Sequence, residues 1–151
     1  MKVFIQNEAG SFLKNSHDEK TLEWKRVVTV SHPYPFPYGF LIGTTAADGC
    51  NVDCYVITTQ QLRTGQIVEC EPIGLMEQIE DGAPDHNVLA RLMHDSAEIT
   101  AEVQTALTEH VMTVFSHVSG KDMKVGRFLG PEEATAHFSA HRDEERQQDK
   151  I

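Results

Sequence analysis

Residues 34–53 read YPFPYGFLIGTTAADGCNVD. Pro33, Pro35 and Pro37 crowd the start of this stretch. Each fixes its own φ near about −65° and biases the residue before it toward extended geometry. Tyr34, Phe36 and Tyr38 therefore project from a stiff, strand-like ribbon rather than from a helix. Gly39 to Ile42 reads as a short buried strand, and residues 44–51 as a loop of small residues. Asp48 and Asp53 close that loop at an odd spacing, which on one flat strand would send them to opposite faces. A turn through Gly49 and Asn51 instead brings both carboxylates to one point. Two like charges about 4 Å apart repel by about 4 kcal/mol near a protein surface. Their convergence calls for a hard divalent cation such as Mg²⁺ between them.

Working outward, residues 2–6 (KVFIQ) predict an opening strand, and residues 7–18 a polar, turn-rich segment that contains Lys14. Residues 22–30 (LEWKRVVTV) are rich in β-branched and aromatic side chains and predict a strand with Arg26 at its middle. Residues 53–59 and 66–73 predict two strands joined by the tight 62–65 connection, hence a hairpin. Residues 76–84 read as an acid-rich turn carrying Glu80 and Asp81, with Asp85 just beyond it and a strand at 87–92. From Thr100 the period changes. Val103, Leu107, Val111, Val114 and Val118 predict an amphipathic helix of about 18 residues, capped by Thr100 and ended by Ser119-Gly120. A strand at 124–129 follows. Pro131 then opens a second helix whose Ala134, Phe138 and His141 face inward, and a charged tail over 142–151 is expected to fray. Strands followed by helices argue an α+β class, in a single domain over residues 1–151.

The chain has 151 residues and a formal net charge of −10, from 23 acids against 13 lysines and arginines. No basic face is evident, which argues against nucleic acid and anionic membrane as partners. No apolar run approaches the roughly 20 residues that cross a bilayer. The cysteines are Cys50, Cys54 and Cys70, a sparse odd set suited to a reducing cytoplasm. Cys50 and Cys54 lack the usual spacing of a structural zinc site. The Asp48–Asp53 loop lacks the glycine position and closing Glu of a calcium EF-hand. With acids rather than cations around it, Cys50 is a poor nucleophile.

Tyr34-Pro35-x-x-Tyr38-Gly39 followed by Asp48-Gly49-x-x-Val52-Asp53 resembles the signature region of soluble family I inorganic pyrophosphatases, where the tracts typically read YPxNYG and DGDPLD. Residues 65–74 (GQIVECEPIG) resemble that family's strand after the metal loop, and residues 80–85 (EDGAPD) its second acidic loop. The likeness covers roughly residues 3–130. It implies a small closed OB-like β-barrel with two flanking helices. It also implies hydrolysis of pyrophosphate to two phosphates by a metal-activated water, with Mg²⁺ as the ion and Mn²⁺ or Zn²⁺ as alternatives. The roles it carries over are these. Asp48, Asp53 and Asp85 hold the activating metals, Glu80 or Asp81 holds further metal with the substrate, and Lys14, Arg26 and Tyr38 bind phosphate oxygens. A homo-oligomer is implied, a hexamer if the chain follows bacterial members, and His110 and His117 could share a helix face at a subunit contact.

The departures are equally specific. The acid expected between the two metal aspartates, to which the resemblance gives the task of orienting and deprotonating the nucleophile, is Cys50, a thiol with a reference pKa of about 8.5 and a poor donor for a hard ion. Gln6 and Ser16 stand where acids are expected, and Asn87 where a lysine is. Val118-Ser119 stands in place of a Tyr-Lys pair, with Lys121 nearby as a substitute. These losses keep a second reading open, a catalytically impaired relative that binds metal or a phosphorylated ligand.

Overall fold

The computed structural model describes residues 1–144. Its centre is β1 (Lys2–Asn7), whose residues after Lys2 are buried on both faces, as expected of a strand paired along both edges. One edge takes β4 (Tyr38–Leu41), the other the first residues of β6 (Ile67–Glu80). β4 pairs with β5 (Asp53–Val56), β5 runs parallel to β8 (Asn87–Leu92), and β8 pairs back onto β6. The pairing order thus returns to its start. β7 (Ala83–Pro84) and β9 (Met123–Leu129) extend the far end of β6. β2 (Leu13–His17) and β3 (Trp24–Thr29) form a separate two-stranded ribbon. The architecture is α+β, mostly sheet, with α1 (Ala101–Thr113) and α2 (Pro131–His141) packed outside it. No helix among the described residues is long and apolar enough to cross a membrane.

Side-chain alternation divides the core. Val3, Ile5, Leu41, Cys54, Val56, Val88 and Ala90 point to one side and pack with Ala134 of α2. Tyr55 and Leu89 point to the other, under Leu107, Val111 and Val114 of α1 and the segment after it. That second face also carries Tyr38, Asp53 and Asn87, each at the end of its strand, so the period of two sets a polar cleft beside the second cluster.

Several expectations change. β5 and β6 do not form a hairpin, because β5 already has both edges taken, by β4 and by the apolar run of β8. The intervening chain crosses to β1 instead, with the Gly65 N–H donating to Ile5 O at 2.8 Å. β6 does not stop at residue 73 but continues to Glu80. The register shift between Pro72 and Gly74 accommodates the proline, which has no N–H to give the ladder. The polar segment before residue 18 contains a strand, β2, that exists by pairing with β3 rather than by propensity.

Thr100 caps α1 as expected, accepting from Val103 N, but the helix ends at Thr113 rather than near Val118. Ser31 Oγ shares its one proton between the carbonyls of Thr113 and Val114 at 2.8 and 2.9 Å, and Ser31 N donates to Val114 O at 3.4 Å, so the terminal carbonyls find donors in another segment and the chain turns off early. His110 is consequently a core residue, lying between Tyr34 and Tyr55 with Nδ1 3.1 Å from Pro33 O. His117 lies beyond the helix, so the two do not form a shared surface for a subunit contact. Burial pushes the His110 pKa down to about 4, and it packs as a neutral ring.

Arg142 and Asp143 are not frayed. Arg142 bridges to Thr44, and Asp143 N donates to Gly43 O at 2.9 Å. The rest of the expected frayed tail, from residue 145, lies outside the described residues.

Candidate active site

Asp48, Asp53, Glu80 and Asp85 come from three separate parts of the chain and line one cleft of about 270 Å³. Lys14, Tyr38 and Cys50 line it with them. The loop between β4 and β5 sets Asp48 and Asp53 on the same cleft. Gly49 turns at φ +86°, Asp48 Oδ1 accepts the Cys50 N–H at 2.9 Å, and Ala46 N donates to Cys50 O at 2.7 Å. This Asx turn leaves Asp48 at the rim and Asp53 deep, as the first residue of β5.

The carboxyls press on one another. Burial holds the Asp53 carboxyl well above the usual range, and Asp85 and Glu19 add repulsion, while a hydrogen bond from the Tyr38 phenol works the other way. Burial, then the charges of Glu80 and Asp48, pushes Asp85 up to about 6. Asp85 lies within hydrogen-bonding reach of both Asp53 and Glu80. The Tyr38 phenol, buried beside Asp53, keeps its proton at any physiological pH. Burial and the adjacent Glu19 and Asp48 raise the Cys50 thiol, so it stays neutral.

An acid whose folded pKa lies above its unfolded value binds more protons folded than unfolded, so its stabilising contribution is complete below the unfolded pKa and is lost as pH rises. For Asp85 the window runs from about pH 4 to about pH 6. Metal-free protein titrated with urea should show this fall across that window relative to Asp85→Asn, and Mg²⁺ should reduce it. Parallel pH profiles for the two proteins would refute the strained-carboxyl picture.

The remaining expected residues are placed unevenly. Lys14 stands in the cleft with Nζ 4.7 Å from the centroid of the Phe115 ring. Arg26 is exposed and does not line the cleft, but it pairs directly across from Ser16, a cleft residue. Directly paired residues share a face of the ribbon, so Arg26 flanks the mouth. Glu80 is in the cleft and bound by Lys121 Nζ at 2.5 Å. Asp81 lies outside it, in a turn at φ +50°, where Oδ1 accepts the Asp122 N–H at 2.8 Å. Asn87 is buried and donates to Gln78 Oε1 at 2.9 Å. Cys54 faces the core, away from Cys50.

Phe115, His17 and Glu19 are among the cleft residues that sequence reading did not find. Phe115, not Val118, is the aromatic that enters from the end of α1, with Lys121 Nζ also 5.3 Å from its centroid. His17 is buried at the end of β2 against Phe4, its Nδ1 3.4 Å from Gln6 Nε2. Glu19 enters from the β2–β3 turn. No local pattern marks any of them, because each reaches the cleft through the placement of the β2–β3 ribbon or of the segment after α1.

The donor set suits a hard divalent ion. The cleft offers carboxylate oxygens from five residues, with Asp85 in reach of both Asp53 and Glu80, and among these five Lys121 offsets the charge of Glu80 alone. Among the described residues no three His, Cys, Asp or Glu side chains already stand in closed ligand geometry.

Comparison with known proteins agrees with this geometry. An inorganic pyrophosphatase from Sulfolobus acidocaldarius is 34% identical over 92 residues, 60% of this chain and about half (53%) of that relative. One from Nanoarchaeum equitans is 29% identical over 142 residues, covering 87% of this chain and 89% of that one. In three dimensions the fold matches an inorganic pyrophosphatase from Coxiella burnetii with TM-score 0.83 at 23% identity, over 93% of this chain and 92% of the other. It matches one from Thermus thermophilus with TM-score 0.82 at 24% identity, over 93% and 88%. The family model described as inorganic pyrophosphatase spans residues 5–144, and the chain belongs to the inorganic pyrophosphatase family.

Proposed function

We propose that this protein hydrolyses inorganic pyrophosphate to two phosphates in a divalent-cation-dependent reaction, with Mg²⁺ as the ion. The observation that carries this reading is the meeting of Asp48, Asp53, Glu80 and Asp85 in one cleft that also holds Lys14 and Tyr38. A net charge of −10 opposes a polyanion entering such a cleft on the polypeptide's own field, which favours mediation by cations. When bound, such ions offset substrate charge and lower the pKa of water. Asp48, Asp53 and Asp85 would hold them, with Glu80 on the substrate side. Asp81, one residue on, is a candidate only if its turn opens. Lys14 and, from the mouth, Arg26 would bind phosphate oxygens, Arg26 through its planar fork. Tyr38 keeps its single phenolic proton, which it gives to Asp53 in the metal-free cleft and would give to a phosphate oxygen with substrate present. Phe115 holds Lys14 toward the cleft by cation–π attraction.

A second reading, a relative that binds metal or a phosphorylated ligand without turnover, draws on Cys50 and Asn87, which put a neutral thiol and a neutral amide where charge would serve. Phosphate release from pyrophosphate, with Mg²⁺, Mn²⁺ and Zn²⁺ tried in parallel, separates the two. Turnover that depends on the ion is expected. Release no faster than in buffer with all three ions would leave the second reading. The return of the strand order to β1 supports a closed OB-like barrel as the frame. We also infer a homo-oligomer working in the cytoplasm, by analogy with the family.

A further inference from the structure

The turn between β2 and β3 is fastened to the loop between β4 and β5 by two neighbouring side chains. Asp18 Oδ1 accepts the N–H groups of Lys20 and Thr21 at 3.0 and 2.9 Å and so fixes the turn. From it, Lys20 Nζ reaches Thr44 O at 2.8 Å, Thr45 Oγ1 at 3.0 Å and Asn51 Oδ1 at 2.7 Å. Beside it, Glu19 Oε1 accepts the Asn51 N–H at 2.8 Å, and Glu19 O accepts from Asn51 Nδ2 at 3.4 Å.

The Glu19 carboxylate is therefore held against the residue that follows Cys50, on the wall it shares with Asp48, Cys50 and Asp53. Lys20 spends its charge on the loop and on Asp143, 3.6 Å away. Among the described residues Glu19 has no salt-bridge partner, and Oε2 makes no hydrogen bond. Lys20 and Lys25 act on Glu19 only at a distance, so a half-buried carboxylate set among other carboxylates still gains from a cation beside it. Cys50, between the two aspartates in sequence, offers sulfur, which hard ions bind poorly. The oxygen that the loop does not supply comes from across the ribbon.

We propose that Glu19 is an additional oxygen ligand for the divalent cation held by Asp48 and Asp53, on the side of the cleft where Cys50 offers only sulfur. The proposal rests on the metal-dependent reading of the cleft.

The test is Mn²⁺ binding to the full chain without pyrophosphate, followed by the electron paramagnetic resonance signal of free Mn²⁺. Glu19→Gln keeps an oxygen for the Asn51 N–H but removes the charge. It should weaken the tightest Mn²⁺ site about tenfold or more, and adding Cys50→Asp to it should recover about tenfold. In the parent, Cys50→Asp should change affinity by less than about threefold, because Glu19 already supplies an oxygen on that side. A purely structural Glu19 predicts parent-like Mn²⁺ affinity for Glu19→Gln, and that result overturns the proposal. A tenfold gain from Cys50→Asp alone overturns it too, and this arm stands even if Glu19→Gln fails to fold. Failure of the underlying reading looks different, since the parent would then neither bind Mn²⁺ nor release phosphate.

Discussion

Replacing Asp53 by Asn is expected to cut Mg²⁺-dependent phosphate release by about a thousandfold while leaving the metal-free protein at least as stable as the parent. The two effects have separate causes. Asp53 is the deepest carboxylate of the cleft and the one the Tyr38 phenol orients. Losing its charge removes a ligand from the ion that offsets substrate charge, and a thousandfold corresponds to about 4 kcal/mol at 1.36 kcal/mol per tenfold. In the absence of metal, the same charge is a burden. Its pKa is held up first by burial and next by Asp85, and a neutral amide of the same shape relieves both while still accepting from Tyr38. The urea midpoint without metal should therefore hold or rise, and the extra stability that Mg²⁺ confers on the parent should shrink. A variant that keeps more than a tenth of the parent rate would remove Asp53 from the machinery. One that loses both rate and metal-free stability would make it a structural residue.

Gly39→Ala is expected to destabilise the fold on the order of 5 kcal/mol, in the range reserved for the most severe single changes. A Cβ at this position would stand 1.7 Å from Phe4 O and 2.8 Å from Phe4 C. Both atoms are backbone of β1, whose far edge is committed to β6, so β1 cannot retreat without breaking a second ladder. Domains of this size commonly have only about 5–15 kcal/mol in total, so much of the population should be unfolded or insoluble. Gly39 follows Tyr38 directly, and any folded remainder should also have lost hydrolysis because the phenol moves with the strand. A urea midpoint equivalent to a loss under about 1 kcal/mol would mean that β1 and β4 can part at little cost.

Much of the site was legible in the chain because loops announce themselves locally. Gly49 and Asn51 allow a turn, Asp48 and Asp53 bracket it, and the prolines before Tyr38 stiffen the approach, so a shared cleft for those two carboxylates needed no knowledge of distant contacts. Asp85 and Glu80 were harder. Their meeting with the first loop was implied by the order of the tracts, and what joins them is the parallel pairing of β5 with β8, a long-range event that no local signal encodes. The 14-residue run of β6 shows the same limit. An acid-rich stretch with Gly and Pro reads as a turn, yet pairing with β8 and β9 on its two edges makes most of it strand. The helix end was misjudged for a related reason. Val114 and Val118 continue the apolar period, but Ser31, far away in sequence, takes the carbonyls that would have led on.

By itself the sequence determined that the proline-rich approach is extended, that the loop after it turns, which stripe of the first helix is apolar, and that several carboxylates would need a cation for company. These are properties of backbone stereochemistry, side-chain period and charge, all set within a few residues. Tertiary structure alone decided that Glu19, His17 and Phe115 enter the cleft, that His110 is buried rather than offered to a neighbour, and that Asp81 faces Asp122 instead of the acids beside it. Those outcomes follow from which strand edges and helix ends find each other across the chain. Edge pairing is specified by the whole set of available partners and not by any one segment.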